Sequence, residues 1–242
     1  MSLLAQLEPL RAVASLFYPP LCVICSENVA CEKYLCPACE EKAPRIKPPF
    51  CDKCSEQFDG AITGNFSCAN CAHRRLYFES AVSCYRSRGI VRHLVHQFKY
   101  GHQFHLRHPL ADWLGETLND PRLCGRDFDV IVPVPLHRAR ERERGFNQAQ
   151  VLAELLTRKI SIPVRAALER IRYTTTQTAF DRAERMENLR DAFRLRPRAN
   201  VQELRVLLID DVLTTGSTLS ECARVLRKAG AISVHAATAA RA

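Results

Sequence analysis

Apolar and polar positions change rhythm repeatedly along this chain, and each change marks an element. Phe78 to Tyr85 alternates weakly and reads as a strand, ended by Gly89. From Ile90 to Lys99 the apolar residues Ile90, Val91, Leu94, Val95 and Phe98 form one helical stripe, and His108 to Leu118 continues as another helix. Val130-Ile131-Val132-Pro133-Val134-Pro135 is a short buried strand entering a loop, Leu136 to Asn147, before a helix from Gln148 to Lys159. Val164 and Ala166 begin a further strand, whereas Arg170 to Arg190 is polar, charged and aperiodic. The run Val206 to Ile209, the amphipathic stretch Leu219 to Lys228 and the strand Ile232 to Thr238 complete the pattern. Strands alternating with helices predict a doubly wound parallel sheet with ligands at its carboxyl ends. Near the start, Leu3, Leu4, Leu7, Leu10, Val13, Ala14 and Phe17 predict an amphipathic helix before Pro19-Pro20. Its polar face is not basic, so it is expected to pack on its own domain rather than on a membrane.

The strand Val206 to Ile209 ends in Asp210 and Asp211, followed by Val212-Leu213 and the loop Thr214-Thr215-Gly216-Ser217-Thr218. A loop of small hydroxyl residues at a helix N-terminus offers unpaired backbone N–H groups, hydroxyl donors and the positive end of the helix dipole. Gly216 lets the backbone approach a ligand closely. The carboxylates of Asp210 and Asp211 can accept from vicinal hydroxyls or hold a metal bound to phosphate. A phosphorylated sugar carrying a metal-bound leaving group satisfies all of these groups. The competing reading, an ordinary turn and a helix capped by Ser217 or Thr218, leaves the acid pair at the strand end without a task. A Walker A loop is excluded, because the G-x-x-x-x-G-K-[ST] spacing and its lysine are missing.

Of the twelve cysteines, eight fall in four C-x-x-C pairs: Cys22/Cys25, Cys36/Cys39, Cys51/Cys54 and Cys68/Cys71. Each pair can place two thiolates on one tetrahedral zinc, so four pairs make two four-cysteine sites. Sequential pairing joins Cys22, Cys25, Cys36 and Cys39 on one ion and Cys51, Cys54, Cys68 and Cys71 on the other; spacing alone also allows an interleaved cross-brace. Disulfides are the alternative. Nothing at the N-terminus resembles a secretory signal, since Glu8 interrupts the apolar run without a basic leader, and a cytoplasmic compartment keeps thiols reduced. Closed four-cysteine sites carry a folding role. Cys31, Cys84, Cys124 and Cys222 have no such spacing and read as small hydrophobes.

A chain of 242 residues suits a metal module, expected over 1–75, and one α/β domain, expected over 76–242. No apolar run reaches the roughly 20 residues of a membrane span. The net charge of +9 is carried after Leu76, by 27 basic and 18 acidic residues, whereas the first 75 residues hold eight of each. Four thiolates on each zinc make the N-terminal segment acidic, so it is the poorer candidate for a polyanion surface. The excess concentrates at Arg138, Arg140, Arg142 and Arg144 and between Arg158 and Arg198. Such runs are commonly solvated faces, yet these flank the expected phosphate site.

The acid pair with its Thr-Thr-Gly-Ser-Thr loop resembles the motif with which type I phosphoribosyltransferases bind 5-phosphoribosyl-1-pyrophosphate (PRPP). The resemblance extends along the chain. Four C-x-x-C pairs precede V-P-V-P-L, then Arg140, Arg144, Gly145, Phe146, Asn147 and Gln148 in R-x-x-x-R-G-F-N-Q, then Arg170-Ile171-Arg172 with Thr176-Gln177, Asn188-Leu189 and Ala192-Phe193. Together they are similar to the ComF family of competence proteins.

This resemblance implies a type I phosphoribosyltransferase-like doubly wound sheet behind an N-terminal double zinc ribbon, with magnesium accompanying PRPP. It implies a place in natural transformation, with single-stranded DNA and DNA-uptake proteins as partners. By the same resemblance Leu136, His137 and Arg138 lie in the pyrophosphate loop, and Arg170 to Arg185 correspond to a mobile loop that carries Arg170 and Arg172 over the site. Arginines and a metal would stabilise the charge that gathers on departing pyrophosphate. Lys99 is a weaker site candidate than these. Transferases of this type hold their acceptor base under a hood outside the core sheet. No C-terminal hood follows Thr238, so PRPP binding is better supported than transfer. Three functions remain open: PRPP binding in DNA uptake, phosphoribosyl transfer to an unidentified acceptor, and nucleic-acid binding or scaffolding with a vestigial sugar-phosphate site.

Overall fold

Hydrogen-bonded strands 81–83, 130–133, 205–213 and 233–241 form one sheet. The computed structural model describes residues 19–30, 33–60, 62, 64, 66–173 and 189–242. The expected helix before Pro19 and most of the Arg170 to Arg185 segment lie outside the described residues. Among those described, the chain forms two compact units, 1–43 and 44–242.

The first unit holds the first two cysteine pairs. Cys22 N donates to Glu27 O at 2.7 Å and Ser26 N to Cys22 O at 2.9 Å, with Ser26 in the left-handed region (φ 62°). The short helix α1, Pro37–Glu41, begins directly after Cys36 and carries Cys39. The same device recurs in the second unit: Cys51 N donates to Glu56 O at 2.8 Å, Ser55 N to Cys51 O at 2.9 Å, and Ser55 has φ 57°. There the helix α2, Ala69–Ala72, begins after Cys68 and carries Cys71. Each knuckle turns backbone N–H groups toward its sulfurs, so the two ribbons are copies of one motif.

The second ribbon is part of the α/β core, and the contact boundary at 43/44 therefore differs from the expected division at 75/76. Cys51, Cys54, Cys68 and Cys71 belong to the same buried cluster as Val206, Leu208 and Val234 of the sheet. Ser55 Oγ, fully buried, donates to Ala81 O at 3.1 Å. Arg241 Nε donates to Cys54 O at 3.1 Å, and the same guanidinium pairs with Glu56. These side-chain bonds, with a backbone bond from Ala81 N to Lys53 O at 2.8 Å, tie this ribbon to the sheet.

The sheet runs β1 (Ala81–Ser83), β6 (Ser233–Arg241), β5 (Arg205–Leu213), β2 (Val130–Pro133), all parallel. Val164 adds a parallel bridge to Ile131 beyond β2. β5 pairs from Val206 with Val130 to Ile209 with Pro133, then continues beside β6 as far as Leu213. The site therefore starts where β2 ends and β5 runs on. One sheet face, with Val206, Leu208 and Val234, packs on α7 (Ser217–Lys228) through Leu219, Cys222, Ala223 and Leu226. The opposite face carries Leu207 and Ile209 and is covered by α4 (Arg107–Glu116) and α6 (Gln148–Ile160), with α3 (Gly89–Tyr100) packed beside α4. The stripe predicted from Ile90 to Lys99 buries Val91, Leu94, Val95 and Phe98 as expected of an amphipathic helix.

Two segments depart from the expected pattern. Leu136 to Asn147 contains a helix, α5 (Arg138–Arg144), capped by the His137 side chain and closed by Gly145 at φ 84°. It buries no side chain and so left no apolar stripe, while its Arg and Glu residues are good helix formers. Beyond Val164, β3 (Leu168–Arg170) leaves the main sheet and pairs antiparallel with β4 (Phe193–Leu195). Ile171 N donates to Ala192 O at 2.8 Å, so this ribbon clasps both ends of the polar segment between them. No helix among the described residues is long and apolar enough to cross a membrane.

Candidate functional site

Side-chain alternation in β5 sends the two acids to opposite faces of the sheet. Asp211, buried with Ile209, meets Lys99 at the end of α3: Nζ lies 2.7 Å from Oδ2. Asp210 faces α7, and its Oδ1 accepts from Asp211 N at 2.9 Å. Burial, and then the charge of Asp211, push the Asp210 carboxyl up to about 8, with Lys99 opposing. On that same face Arg170 feels Asp210 and Cys222, and the buried Cys222 thiol is raised by burial and by Asp210. One carboxyl thus pairs with the Lys99 ammonium, while its neighbour sits on the opposite face beside Arg170 and Cys222.

The expected phosphate loop is a tight connection between β5 and α7. Gly216 serves as N-cap in the left-handed conformation (φ 75°), which a side chain would strain. Thr214 is exposed, Thr215 and Thr218 are half-buried, and Ser217 is buried at the first turn of α7. Thr215 Oγ1 and Ser217 Oγ share a hydrogen bond at 2.9 Å. Asn70 and Arg74 reach the loop from the second ribbon, with Arg74 NH2 donating to Ser217 Oγ at 3.1 Å.

A cationic flank forms where β2 leads into α5. Leu136 and His137 are half-buried, and Arg138 is exposed at the first turn of the helix. His137 Nδ1 accepts from Ala139 N at 3.2 Å, its backbone bridges to Arg170, and its ring meets Tyr173 edge-on at 5.1 Å. Arg140 lies over Tyr173 at 5.6 Å. Burial and the nearby Arg140 lower the pKa of Arg170, whose guanidinium sits 5.4 Å from the Phe193 ring centre. Arg170 therefore connects the α5 flank with Asp210, two predicted groups far apart in sequence. Arg172 is not gathered in with it: exposed, it donates to Arg190 O at 3.1 Å across the base of the ribbon.

In the sequence Lys99 is only a weak site candidate, and Asn70, Arg74 and Tyr173 do not stand out. For Lys99 the signal was present, as the last residue of an apolar stripe facing an acid-bearing strand end. Asn70 and Arg74 carried none, because their partners lie about 140 residues away.

The eight paired cysteines form two groups, Cys22, Cys25, Cys36 and Cys39, and Cys51, Cys54, Cys68 and Cys71, with all ligand atoms of a group within 4.8 Å of one another. This is sequential pairing, and it disposes of the cross-brace. Cys25 and Cys36 sulfurs are 3.5 Å apart, and those of Cys54 and Cys68 are 3.6 Å apart. A tetrahedron with zinc–sulfur arms of ~2.3 Å has edges of about 3.8 Å, so both groups fit zinc. Among themselves the thiols of the second group oppose full ionisation. Hydrogen bonds from Cys54 and Cys71 draw Cys51 well below its usual range, while Cys54 is pushed up to about 12 and Cys71 higher still. A divalent cation removes that conflict.

A separate cleft of about 560 Å³ opens between the second ribbon and the C-terminal half of α7, and Lys53, Arg75, Tyr77, Glu79, Arg224 and Lys228 are among the residues lining it. Arg75 lies over the Tyr77 ring at 5.2 Å.

A parallel sheet with this strand–loop–helix connection, fused to two four-cysteine knuckles, defines a double zinc ribbon protein of the phosphoribosyltransferase fold. Family models agree: a double zinc ribbon domain matches residues 13–72 and a phosphoribosyl transferase domain matches residues 143–242. Competence protein F of Haemophilus influenzae is 31% identical over 219 residues, covering 88% of this chain and 93% of the relative. DNA utilization protein YhgH of Escherichia coli is 31% identical over 221 residues, covering 90% and 95%. Competence protein ComFC of Bacillus subtilis is 27% identical over 219 residues, covering 87% and 85%. The chain belongs to this competence protein F family.

Proposed function

We propose that the protein binds PRPP, or a closely related phosphosugar, with magnesium at the carboxyl end of β5. The observation that carries this reading is the continuous run from Asp210 and Asp211 through Gly216 to the N-terminus of α7. A 5-phosphate would sit at the Thr214–Thr218 loop, taking backbone N–H groups and the helix dipole. The ribose hydroxyls would donate to Asp210, whose carboxylate also suits a magnesium ion held together with pyrophosphate, while Asp211, paired with Lys99 on the opposite face, would hold the strand end in place. When bound, magnesium supplies charge neutralisation for the pyrophosphate oxygens. Leu136, His137 and Arg138, with Arg140 and Arg170, form the cationic flank suited to that pyrophosphate. Calorimetric titration of the zinc-loaded protein with PRPP and magnesium tests the reading. Saturable binding that requires magnesium supports it, and no heat up to millimolar PRPP refutes it. Acceptor-dependent release of pyrophosphate separates a transferase from a binding protein.

The cleft beside the second ribbon favours a second role for the same chain. Relatives named for competence and DNA utilization point to nucleic-acid handling, and this cleft combines Lys53, Arg75, Arg224, Arg227 and Lys228 with the Tyr77 ring. Cations that track a backbone and a ring for base stacking are what single-stranded DNA requires. Clustered thiols that must stay reduced for zinc suit a cytoplasmic protein acting on DNA that has entered the cell.

A further inference from the structure

The phosphate loop is held from behind by the second zinc ribbon. Asn70 occupies the spacer of the last C-x-x-C pair, between Cys68 and Cys71, and is buried. Its Nδ2 donates to Thr215 O at 3.1 Å, and its Oδ1 accepts from Arg74 NH1 at 2.8 Å. Arg74 NH1 also donates to Thr215 O at 3.0 Å, while NH2 donates to Ser217 Oγ at 3.1 Å. One turn further along α7, Ser220 Oγ accepts from Tyr77 N at 3.2 Å. The segment from Cys68 to Tyr77 thus grips the start of α7 at successive points.

Each contact has a consequence for an anion at this loop. A carbonyl oxygen turned toward phosphate would repel it; two donors from the ribbon engage Thr215 O. The guanidinium places a full positive charge within hydrogen-bond distance of the α7 first turn, reinforcing a helix dipole worth only about half a charge. Its position depends on the ribbon, because Asn70 is flanked on both sides by metal ligands and Arg74 follows three residues after Cys71. A zinc ion on the four sulfurs would fix that geometry.

We propose that Asn70 and Arg74 are positioning residues of the phosphate subsite, and that the second zinc and the phosphate loop are energetically coupled through them. This rests on the phosphosugar reading above. Coupling between two sites is reciprocal: if zinc favours phosphosugar binding, bound phosphosugar must favour zinc by the same factor.

The test uses the zinc-loaded full chain, with ribose 5-phosphate and magnesium pyrophosphate titrated separately. Arg74→Ala is expected to weaken ribose 5-phosphate roughly ten-fold, as loss of a charge-assisted hydrogen bond implies, and to change pyrophosphate by less than about two-fold. Asn70→Ala should weaken it in the same ligand-selective way, and Arg74→Lys should recover part of the affinity. Equilibrium competition with a chromogenic chelator supplies the reciprocal readout: saturating ribose 5-phosphate should raise several-fold the chelator concentration needed to remove one of the two ions, and not in Arg74→Ala. Equal losses for both ligands, or unaltered ribose 5-phosphate affinity in Arg74→Ala, would overturn the coupling while leaving the site reading intact. If the unsubstituted protein binds PRPP and ribose 5-phosphate not at all, the site reading falls and takes this proposal with it.

Discussion

Lys99 Nζ lies 2.7 Å from Asp211 Oδ2, so the acid that follows Asp210 is already neutralised from the opposite face of the sheet. Two carboxylates adjacent in sequence would repel each other at the end of one strand. Alternation separates them, and the lysine of α3 offsets the charge that burial of Asp211 leaves uncompensated.

Lys99→Met should therefore destabilise the protein by about 2 kcal/mol, below the cost of breaking a fully buried pair because the lysine keeps some solvent contact. Adding Asp211→Leu should restore most of the loss. Denaturant unfolding of the single and double variants measures both; an unchanged midpoint in Lys99→Met refutes the pairing.

Asp210→Ala with Asp211→Ala should weaken PRPP binding by at least an order of magnitude, since charge-assisted hydrogen bonds contribute about 1.5–3 kcal/mol each. Calorimetry on the folded double variant decides this. Unaltered affinity would show that the acids hold neither ribose nor metal.

Asp210 makes both stability and binding depend on pH. Its carboxyl titrates near 3.8 when unperturbed and is raised to about 8 in the fold. The folded chain thus holds a proton that the unfolded chain releases, and this group's contribution to stability is fully present below about pH 4 and lost as pH climbs through 8. Ligands that need the carboxylate must displace that proton. At pH 7 magnesium and PRPP should release about one proton more from the unsubstituted protein than from Asp210→Asn, read by calorimetry in buffers of different ionisation enthalpy. Equal release by both proteins would refute the assignment.

Two zinc ions should be found per chain, and they should differ in what they support. Cys71→Ser removes a ligand from the cluster buried in the α/β core and should unfold β5 and β6 with it. Cys25→Ser lies in the separate unit 1–43 and should leave the melting of 44–242 within a few degrees of the unsubstituted protein. Metal analysis and hydrogen exchange across residues 205–241 read the contrast. Full protection of these strands in Cys71→Ser would contradict it.

Single-stranded DNA bound in the cleft should respond to the exposed cations Arg75 and Lys228. Replacing both by Gln should lower the salt slope of log affinity by about 1.4, the value for two lost phosphate contacts on a single strand. PRPP should not compete, because the cleft's cations Arg224, Arg227 and Lys228 lie in the last half of α7, a helix about 18 Å long that begins at the proposed phosphate loop. Competition by PRPP, or an unchanged slope, would place the DNA instead on the arginines of α5 beside the proposed phosphosugar site.

The chain's own sequence determined the elements that bury a periodic face and the chemistry that depends on near neighbours. The stripe from Ile90 to Phe98, the run into Asp210 and the Cys-x-x-Cys spacers are local patterns, written within ten or so residues, and each appears in the fold. Helix α5 was not legible because it buries nothing, and β3 because three residues pairing with a distant strand leave no period to read. Only the tertiary structure decided which cysteines share a cluster, that the second ribbon belongs to the sheet, and that Lys99, Asn70 and Arg74 surround the β5 end. Lys99, Asn70 and Arg74 lie roughly 110 to 145 residues from their partners, and Arg241 lies 187 residues from Cys54; burial and backbone pairing bring them together. Sequence spacing carries no signal for a contact whose two halves are specified independently.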